Sequence, residues 1–173
     1  MDELPAGLTP DPVDIVIEDE RWLDTGLEAL AQSAVAAACE YLELAPQPAV
    51  VIMGCDDVRI ATLNTQFRGK PTPTNVLSWP AVEHIPHAPG EWPQIPQVDE
   101  LGDIAIAWDT CAREAGEQGK TMADHVAHLL VHAVLHLAGF DHENDPDAEL
   151  MEEAERQILR RLEISDPYQE QAG

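Results

Sequence analysis

Basic residues are scarce in this chain. Nine lysines and arginines stand against 33 aspartates and glutamates, which gives the 173 residues a formal net charge of −24. So negative a chain normally disfavours polyanionic partners, because like charges repel. One stretch differs, since residues 58–82 contain no acid but include Arg59, Arg68 and Lys70. We therefore expect a local basic surface there, whereas most of the acids form a solvated surface.

Cysteines are also few, and long apolar runs are missing. Cys39, Cys55 and Cys111 are widely spaced and form no CxxC pair, so we predict buried free thiols in a reducing cytosol, without a chemical role. The start, MDELPAGLTPDP, is acidic and has no apolar segment after a basic one, which indicates a cytoplasmic protein without a secretory signal. The longest apolar run, residues 126–140, is too short and too rich in histidine to span a bilayer.

Length and apolar content are those of one globular domain. With 173 residues, 45% of them hydrophobic, the chain is long enough for a substantial core. We predict a single domain over residues 1–173. Its expected irregular parts are an acidic N-terminal tail at about 1–11 and a proline-rich loop at about 80–98.

Hydrophobic periodicity predicts a mixture of strands and helices. Strands are expected at 13–18, 49–53, 75–79 and 101–108, and helices at about 25–44, 57–68, 110–118, 121–138 and 146–164. Asp24 or Thr25, Asp56 and Asp109 are the expected N-caps of the first three helices. Because strands and helices do not alternate strictly, the predicted fold class is α+β, with one mixed sheet of about four strands packed with helices. The helix at 121–138 is apolar all round, so it should be central and buried.

Five of the seven histidines lie in residues 125–142, HVAHLLVHAVLHLAGFDH. His132 and His136 are four residues apart, so they project from one helix face about one turn apart. Gly139 allows the helix to end in a left-handed residue, after which the chain can return His142 to the same point. A lone histidine on an apolar helix is more often a satisfied core residue. Three imidazoles at this spacing instead favour a catalytic zinc site with an open fourth position.

Imidazole-only coordination favours one Zn²⁺ per chain over Mg²⁺, which prefers oxygen ligands. Zinc held by neutral ligands lowers the pKa of its bound water to about 7, so the expected chemistry is hydrolysis. The spacing His132-x3-His136-x2-Gly139-x2-His142 matches the HExxHxxGxxH motif of metzincin proteases. However, Ala133 stands where those proteases have their glutamate general base. A metalloprotease is therefore the second hypothesis.

Several motifs resemble the YbeY family of bacterial rRNA-maturation endoribonucleases. Residues 131–142, VHAVLHLAGFDH, resemble the family signature HGxLHLxGYDH. Residues 68–80, RGKPTPTNVLSWP, resemble RGKxxPTNVLSFP, and residues 101–106, LGDIAI, resemble the LGDI-I strand. The ending Asp166-Pro167-Tyr168 is also similar. The departures are conservative in size and leave the three histidines intact; they are Ala133 for Gly, Phe140 for Tyr and Trp79 for Phe.

The resemblance implies a zincin-like fold and a metal-dependent, single-strand-specific endoribonuclease acting in 16S rRNA 3′-end maturation and ribosome quality control. It implies that His132, His136 and His142 bind the metal, that zinc-bound water attacks the phosphodiester, and that Arg68 is the substrate-site arginine. The implied partners are rRNA and the small ribosomal subunit with its proteins, and no membrane. The acidic surface suits docking on a basic ribosomal protein. A third hypothesis is a non-enzymatic ribosome-assembly factor stabilised by metal.

Arg68 also has support from its position in the acid-free stretch, because a guanidinium can bridge two phosphate oxygens. The alternative is a cation at a helix C-terminus that interacts with the dipole. His128, one turn before His132, is predicted either to support a ligand or to be a core histidine.

The remaining candidates are weaker. Asp103 could hydrogen-bond near the site or be structural, and Asp141 could orient a ligand, although capping of the turn is favoured. For Phe67 and Trp79, core packing is favoured over base stacking. The other histidines are predicted to be exposed or solvated; they are His84, His87 and His125.

Overall fold

The computed structural model describes residues 12–165; the acidic tail at 1–11 and the Asp166-Pro167-Tyr168 ending lie outside this range. The strands within it are β1 Val13–Ile17, β2 Ala49–Cys55, β3 Val76–Pro80 and β4 Glu100–Ala107. The helices are α1 Arg21–Thr25, α2 Leu27–Tyr41, α3 Asp57–Arg68, α4 Trp108–Gln118, α5 Met122–Leu137 and α6 Asp145–Arg161.

Within the described range, the strands form one mixed sheet in the order β1-β2-β4-β3. β1, β2 and β4 run parallel, and β3 pairs antiparallel with β4, with Ser78 opposite Ile104. β2 and the second half of β4, residues 104–107, read as continuous apolar runs because helices cover both faces of the sheet there. β3 is left at the edge of the sheet. The predicted α+β class with one mixed sheet of about four strands is confirmed.

The two faces of the sheet carry separate cores. The larger core joins α2, α5 and α6 to the face that bears Ile104 and Ile106. The smaller core joins α3 to the face that bears Leu77, Ala105 and Ala107. α5 packs against α2, β3, α4 and α6, so the prediction of a central, buried histidine helix is confirmed.

Two predicted helix starts differ from the structure. The helix expected at 25–44 is divided by Gly26, whose φ of 79° ends α1 and precedes α2, so neither Asp24 nor Thr25 is its cap. Trp22 fixes α1 against the sheet, since its ring is fully buried and its Nε1–H donates to the Cys55 carbonyl at 2.9 Å. Asp109 lies inside α4, whose cap is Ala107. The Asp109 carboxylate instead accepts hydrogen bonds from Arg21 and from the Asp57 backbone.

Other local predictions are confirmed. Asp56 caps α3 by accepting from the Arg59 amide, and Gly69 ends it with a φ of 70°. The three thiols are free and buried. Burial raises the pKa of Cys39 to about 11 and of Cys55 to about 12, so neither thiol is ionised at neutral pH. No helix within residues 12–165 is long and apolar enough to cross a membrane.

The proline-rich loop, residues 81–99, has no helix or strand and lies against the turn between α5 and α6. The Gly90 amide donates to Asp147 at the start of α6, and His84 donates to the Leu137 carbonyl at the end of α5. A β-carbon on Gly139 would lie only 3.0 Å from Pro93 Cβ. The loop is therefore fastened to the segment that carries His142.

Candidate metal centre and active-site cleft

α5 presents two of the predicted ligands. Thr121 caps the helix by accepting a hydrogen bond from the Asp124 amide at 3.1 Å, which fixes where the helical turns begin. One turn separates His132 from His136, and their ring centres are 4.8 Å apart. The local helix geometry thus places both imidazoles at one end of the helix without further constraint.

The turn after α5 delivers the third ligand. Gly139 has a φ of 114°, which allows the chain to reverse, and the buried Phe140 fixes the turn with its amide donating to the Leu135 carbonyl. The His142 ring then lies 5.5 Å from that of His132 and 5.2 Å from that of His136. One nitrogen from each of the three rings lies within 4.8 Å of the others. The structure therefore brings the predicted triad together.

The chemistry of this donor set fits a divalent ion. His132 Nδ1 lies 2.7 Å from Glu155 Oε1, so Nδ1–H donates to the carboxylate and Nε2 is the nitrogen that remains for a metal ion. Burial, followed by the neighbouring His132, His142 and Arg68, lowers the pKa of His136 to about 3. His136 is therefore neutral at pH 7 and keeps its lone pair. Neutral imidazoles around an open position are a suitable metal site.

A cleft with a volume of about 310 Å³ opens over the histidines. α5 forms one wall, and the other is formed by the edge strand β3 and the C-terminal end of α3. The lining residues are Arg68, Asn75, Val76, Ser78, His128, Leu129, His132, Ala133, His136 and His142. None of these described lining residues is an aspartate or glutamate, and Arg68 carries their one permanent charge. The surface of the cleft therefore presents one arginine and no carboxylate, in a protein of net charge −24.

His128 and Glu155 support the triad. His128 Nε2 lies 3.3 Å from Glu155 Oε1, the same oxygen that His132 approaches. Sequence analysis missed Glu155, which is fully buried. A signal was available, since Glu155 lies four residues after Met151 and three before Ile158 and so falls on the apolar stripe of α6.

Asn75 is a second residue that sequence analysis missed. Its Nδ2–H donates to Glu114 Oε1 at 3.0 Å, and its Oδ1 accepts from the Val76 amide at 2.7 Å. His125 donates to the same Glu114 oxygen at 2.9 Å. His125 is only 3% exposed, so the prediction that it is exposed was wrong. It lies seven residues, or about two turns, before His132 and therefore shares the buried side of α5.

The other candidates take different places. Asp103 is exposed and lines a separate cavity with Trp79, on the sheet face away from α5, so its predicted contact with the site is not formed. Asp141 accepts from the Glu143 amide and caps the turn, as favoured. His87 is half-buried 3.7 Å from Asp147 and is not part of the triad.

The two aromatic candidates, Trp79 and Phe67, differ in burial. Trp79 is half-buried and packs against the smaller core, as predicted. Phe67 is 61% exposed and meets Trp79 edge-on, with ring centres 5.4 Å apart, so its predicted core packing was wrong. Phe67 directly precedes the cleft residue Arg68 on the last turn of α3.

Comparisons with known proteins identify the family of this chain. A family model described as Endoribonuclease YbeY matches residues 14–163. This chain belongs to the YbeY family. The Endoribonuclease YbeY of Paracoccus denitrificans (strain Pd 1222) is 62% identical over 161 residues, which cover 93% of this chain and 92% of that protein. The Endoribonuclease YbeY of Jannaschia sp. (strain CCS1) is 54% identical, covering 90% and 99% of the two chains.

A solved structure extends the YbeY comparison to the fold. The solution structure of TM1509 from Thermotoga maritima superposes with a TM-score of 0.53 at 23% identity, covering 91% of this chain and 99% of that one. At this identity the likeness concerns the fold alone. The fold predicted from the YbeY motifs is therefore confirmed, and the triad of this YbeY chain is a group that could hold a metal ion.

Proposed function

We propose that this YbeY-family chain is a metal-dependent, single-strand-specific endoribonuclease that acts in the cytoplasm on the 3′ end of 16S rRNA and in ribosome quality control. The observation that carries the proposal is a three-histidine donor set in a cleft whose described lining holds Arg68 and no carboxylate. The rRNA substrate is taken from the family, whose relatives are named endoribonucleases.

The proposed metal is one Zn²⁺ per chain, held by His132, His136 and His142. When bound, it would supply a Lewis acid that makes water a nucleophile at neutral pH and offsets negative charge on the phosphate. The protein's part is to keep three lone pairs converged. It does so through the helical spacing of α5, the reversal at Gly139 and the hydrogen bond from His132 to Glu155.

Arg68 is the proposed phosphate-binding residue. It lies at the end of α3, across the cleft from the triad, and is exposed. Its guanidinium offers paired N–H donors that match two phosphate oxygens, and its charge stabilises the added negative charge of the transition state. Ser78, on the same wall, adds a hydroxyl to the lining of the cleft.

The exposed ring of Phe67 supports the preference for single strands. An unpaired base can leave its stack and lie on an aromatic side chain, whereas bases in a duplex present no free face. Phe67 does not line the cleft and meets Trp79 edge-on, but it directly precedes Arg68 at the end of α3. The proposed path of a strand whose phosphate contacts Arg68 runs on past this exposed ring. The expected substrate is therefore an unpaired segment.

RNA cleavage by purified protein tests the proposal. The metal content of wild type is measured, and a single-stranded oligoribonucleotide is compared with the same strand annealed to its complement. We expect about one zinc per chain, cleavage of the single strand alone, and loss of cleavage with a chelator. His136→Ala should lose both metal and activity. Arg68→Ala should keep the metal and lose cleavage by at least ~100-fold, whereas Arg160→Ala, an exposed arginine on α6, should be unaffected.

Two other outcomes would replace this function. Metal-dependent cleavage of an unfolded protein substrate, without RNA cleavage, would make the chain a metalloprotease; Ala133 and the acid-free lining argue against that base-dependent chemistry. Metal binding and support of ribosome assembly, with no cleavage of either polymer, would make it an assembly factor. Metal-free protein with full RNA cleavage would refute the metal centre itself.

The proposed partners are rRNA and the small ribosomal subunit with its proteins. The net charge of −24 suits docking on a basic ribosomal protein, which would bring the cleft with Arg68 to its RNA. Binding to small-subunit proteins should weaken steeply between low and physiological salt. Binding that does not change with salt, or no binding, would reject this route.

A further inference from the structure

Glu155 is a fully buried carboxylate on α6, behind the histidine triad. A buried charge is costly unless hydrogen-bond partners compensate it. Here Oε1 is approached by His132 Nδ1 at 2.7 Å and by His128 Nε2 at 3.3 Å. The buried carboxylate is therefore compensated by two imidazoles of α5, one of them a predicted metal ligand.

We propose that Glu155 is the positioning residue of the metal centre. By accepting the Nδ1–H of His132, it fixes the tautomer in which Nε2 is the nitrogen available to metal, and it holds the plane of the ring. A carboxylate that accepts this hydrogen bond also makes the imidazole a stronger ligand. This inference rests on the proposed metal-dependent function and adds a residue that does not itself touch the ion.

The position of Glu155 on α6 couples this helix to the ligands on α5. α6 begins at Asp145, three residues after His142, and its buried residues Met151 and Ile158 lie either side of Glu155. When α6 packs against α5, it therefore restrains the position of His142, which precedes it by three residues. It also orients the His132 ring through the Glu155 carboxylate. Tight metal binding requires docked α6, and bound metal in turn stabilises its docking.

His128 is held by the same oxygen. It lies one turn before His132 on α5 and lines the cleft. A single carboxylate thus orients two rings that line the cleft, one of them a proposed ligand. Loss of the carboxylate should disturb both rings at once.

The experiment measures metal affinity without any turnover. Zn²⁺ is titrated into metal-free protein against a chromophoric chelator for wild type, Glu155→Gln and Glu155→Ala. The amide keeps an oxygen acceptor but loses the charge, and alanine loses both. We expect affinity to fall about 10–100-fold in Glu155→Ala and by less in Glu155→Gln. Glu149→Gln is the matched control, because it removes the same charge from an exposed site on the same helix and should not change the affinity.

A second readout concerns the tautomer itself. In metal-free wild type, the ¹⁵N shifts of His132 should report a protonated Nδ1, and Glu155→Ala should shift the ring towards the Nε2–H form. This signal does not depend on metal and would not change if Glu155 only contributed packing. Circular dichroism identifies the folded fraction, and Glu155→Gln keeps the test usable if alanine unfolds the chain.

The outcomes separate this inference from the proposed function. If His136→Ala loses zinc while both Glu155 variants bind like wild type, Glu155 has no positioning role and the function stands. A fall in melting temperature with unchanged affinity and tautomer would equally overturn the positioning role. If wild type itself binds no zinc, the proposed metal-dependent function fails, and this inference fails with it.

Discussion

Gly102 lies where the edge strand, the sheet and the histidine helix meet, and Gly102→Ala is expected to damage all three. The residue is on β4 with a φ of 151°, a conformation that residues with a β-carbon rarely adopt. An added methyl would lie 2.3 Å from the Trp79 carbonyl oxygen, 2.7 Å from Leu137 Cδ2 and 3.1 Å from Pro80 Cα. Two of these three atoms belong to backbone, so rotation of a side chain cannot make room.

The magnitude follows from the two costs. Overpacking of a filled site costs about 1–3 kcal/mol, and a strained backbone conformation costs a further ~1–3 kcal/mol. For a domain of this size, each kcal/mol lowers the melting temperature by about 2–4 °C. The expected loss is therefore on the order of 10 °C. Relief requires β3 or the end of α5 to move, and both border the cleft, so zinc affinity should fall as well.

Thermal unfolding followed by circular dichroism measures this effect. Gly116→Ala is the matched control, because Gly116 lies inside α4 and a β-carbon there would have no neighbour within 4 Å. That change should stabilise the protein by about 0.5–1 kcal/mol, since alanine is the better helix former. If Gly102→Ala melts within a degree or two of wild type, the close approach of β3 to β4 and α5 is not a constraint, and the reasoning fails.

Three further predictions concern the cleft and its surroundings. Phe67→Ala should weaken binding of single-stranded RNA by ~1–3 kcal/mol without changing the melting temperature, in contrast to no effect for Val58→Ala, which truncates a 76% exposed residue on the same helix; equal affinities would remove the stacking role. Asp147→Ala should release the Gly90 amide and make the loop at 81–99 more sensitive to protease, and an unchanged cleavage pattern would contradict the tether. Burial lowers the pKa of His136 from 6.5 to about 3, so as the pH falls below 6.5 this residue is protonated in the unfolded chain but not in the folded one. Metal-free protein should therefore lose up to ~1.4 kcal/mol of unfolding free energy per pH unit below 6.5. Urea unfolding of wild type and His136→Gln at pH 7, 6 and 5 measures this, and parallel profiles would refute it.

The triad could be predicted because its three residues are close in the sequence, so that local backbone geometry brings them together. The spacing of His132 and His136 is fixed by the helix itself, and Gly139 marks the reversal that returns His142. Glu155 could not be linked to His132 in the same way, because they are 23 residues apart on different helices. Only docking of α6 on α5 brings them together.

The errors have physical causes that a closer use of periodicity would have reduced. Asp103 alternates with Ile104, and α5 covers the Ile104 face, so Asp103 must point the other way. The helix start near residue 25 was misplaced because Gly26 acts as a helix stop rather than an ordinary helix residue. Core packing was favoured for Phe67, but this residue lies on the last turn of α3 and is 61% exposed.

The absence of acids from the lining of the cleft has a kinetic consequence for a protein so negative elsewhere. At a distance, free RNA meets the repulsion of the whole molecule, and only inside about one Debye length, ~8 Å at physiological ionic strength, does the local field of Arg68 dominate. Added salt screens this long-range repulsion first, so the association rate with free RNA should rise with ionic strength before it falls. For a basic nuclease, added salt would lower the association rate throughout. Under the proposed function, this surface would disfavour the binding of free RNA relative to RNA that the proposed ribosomal partner holds at the cleft.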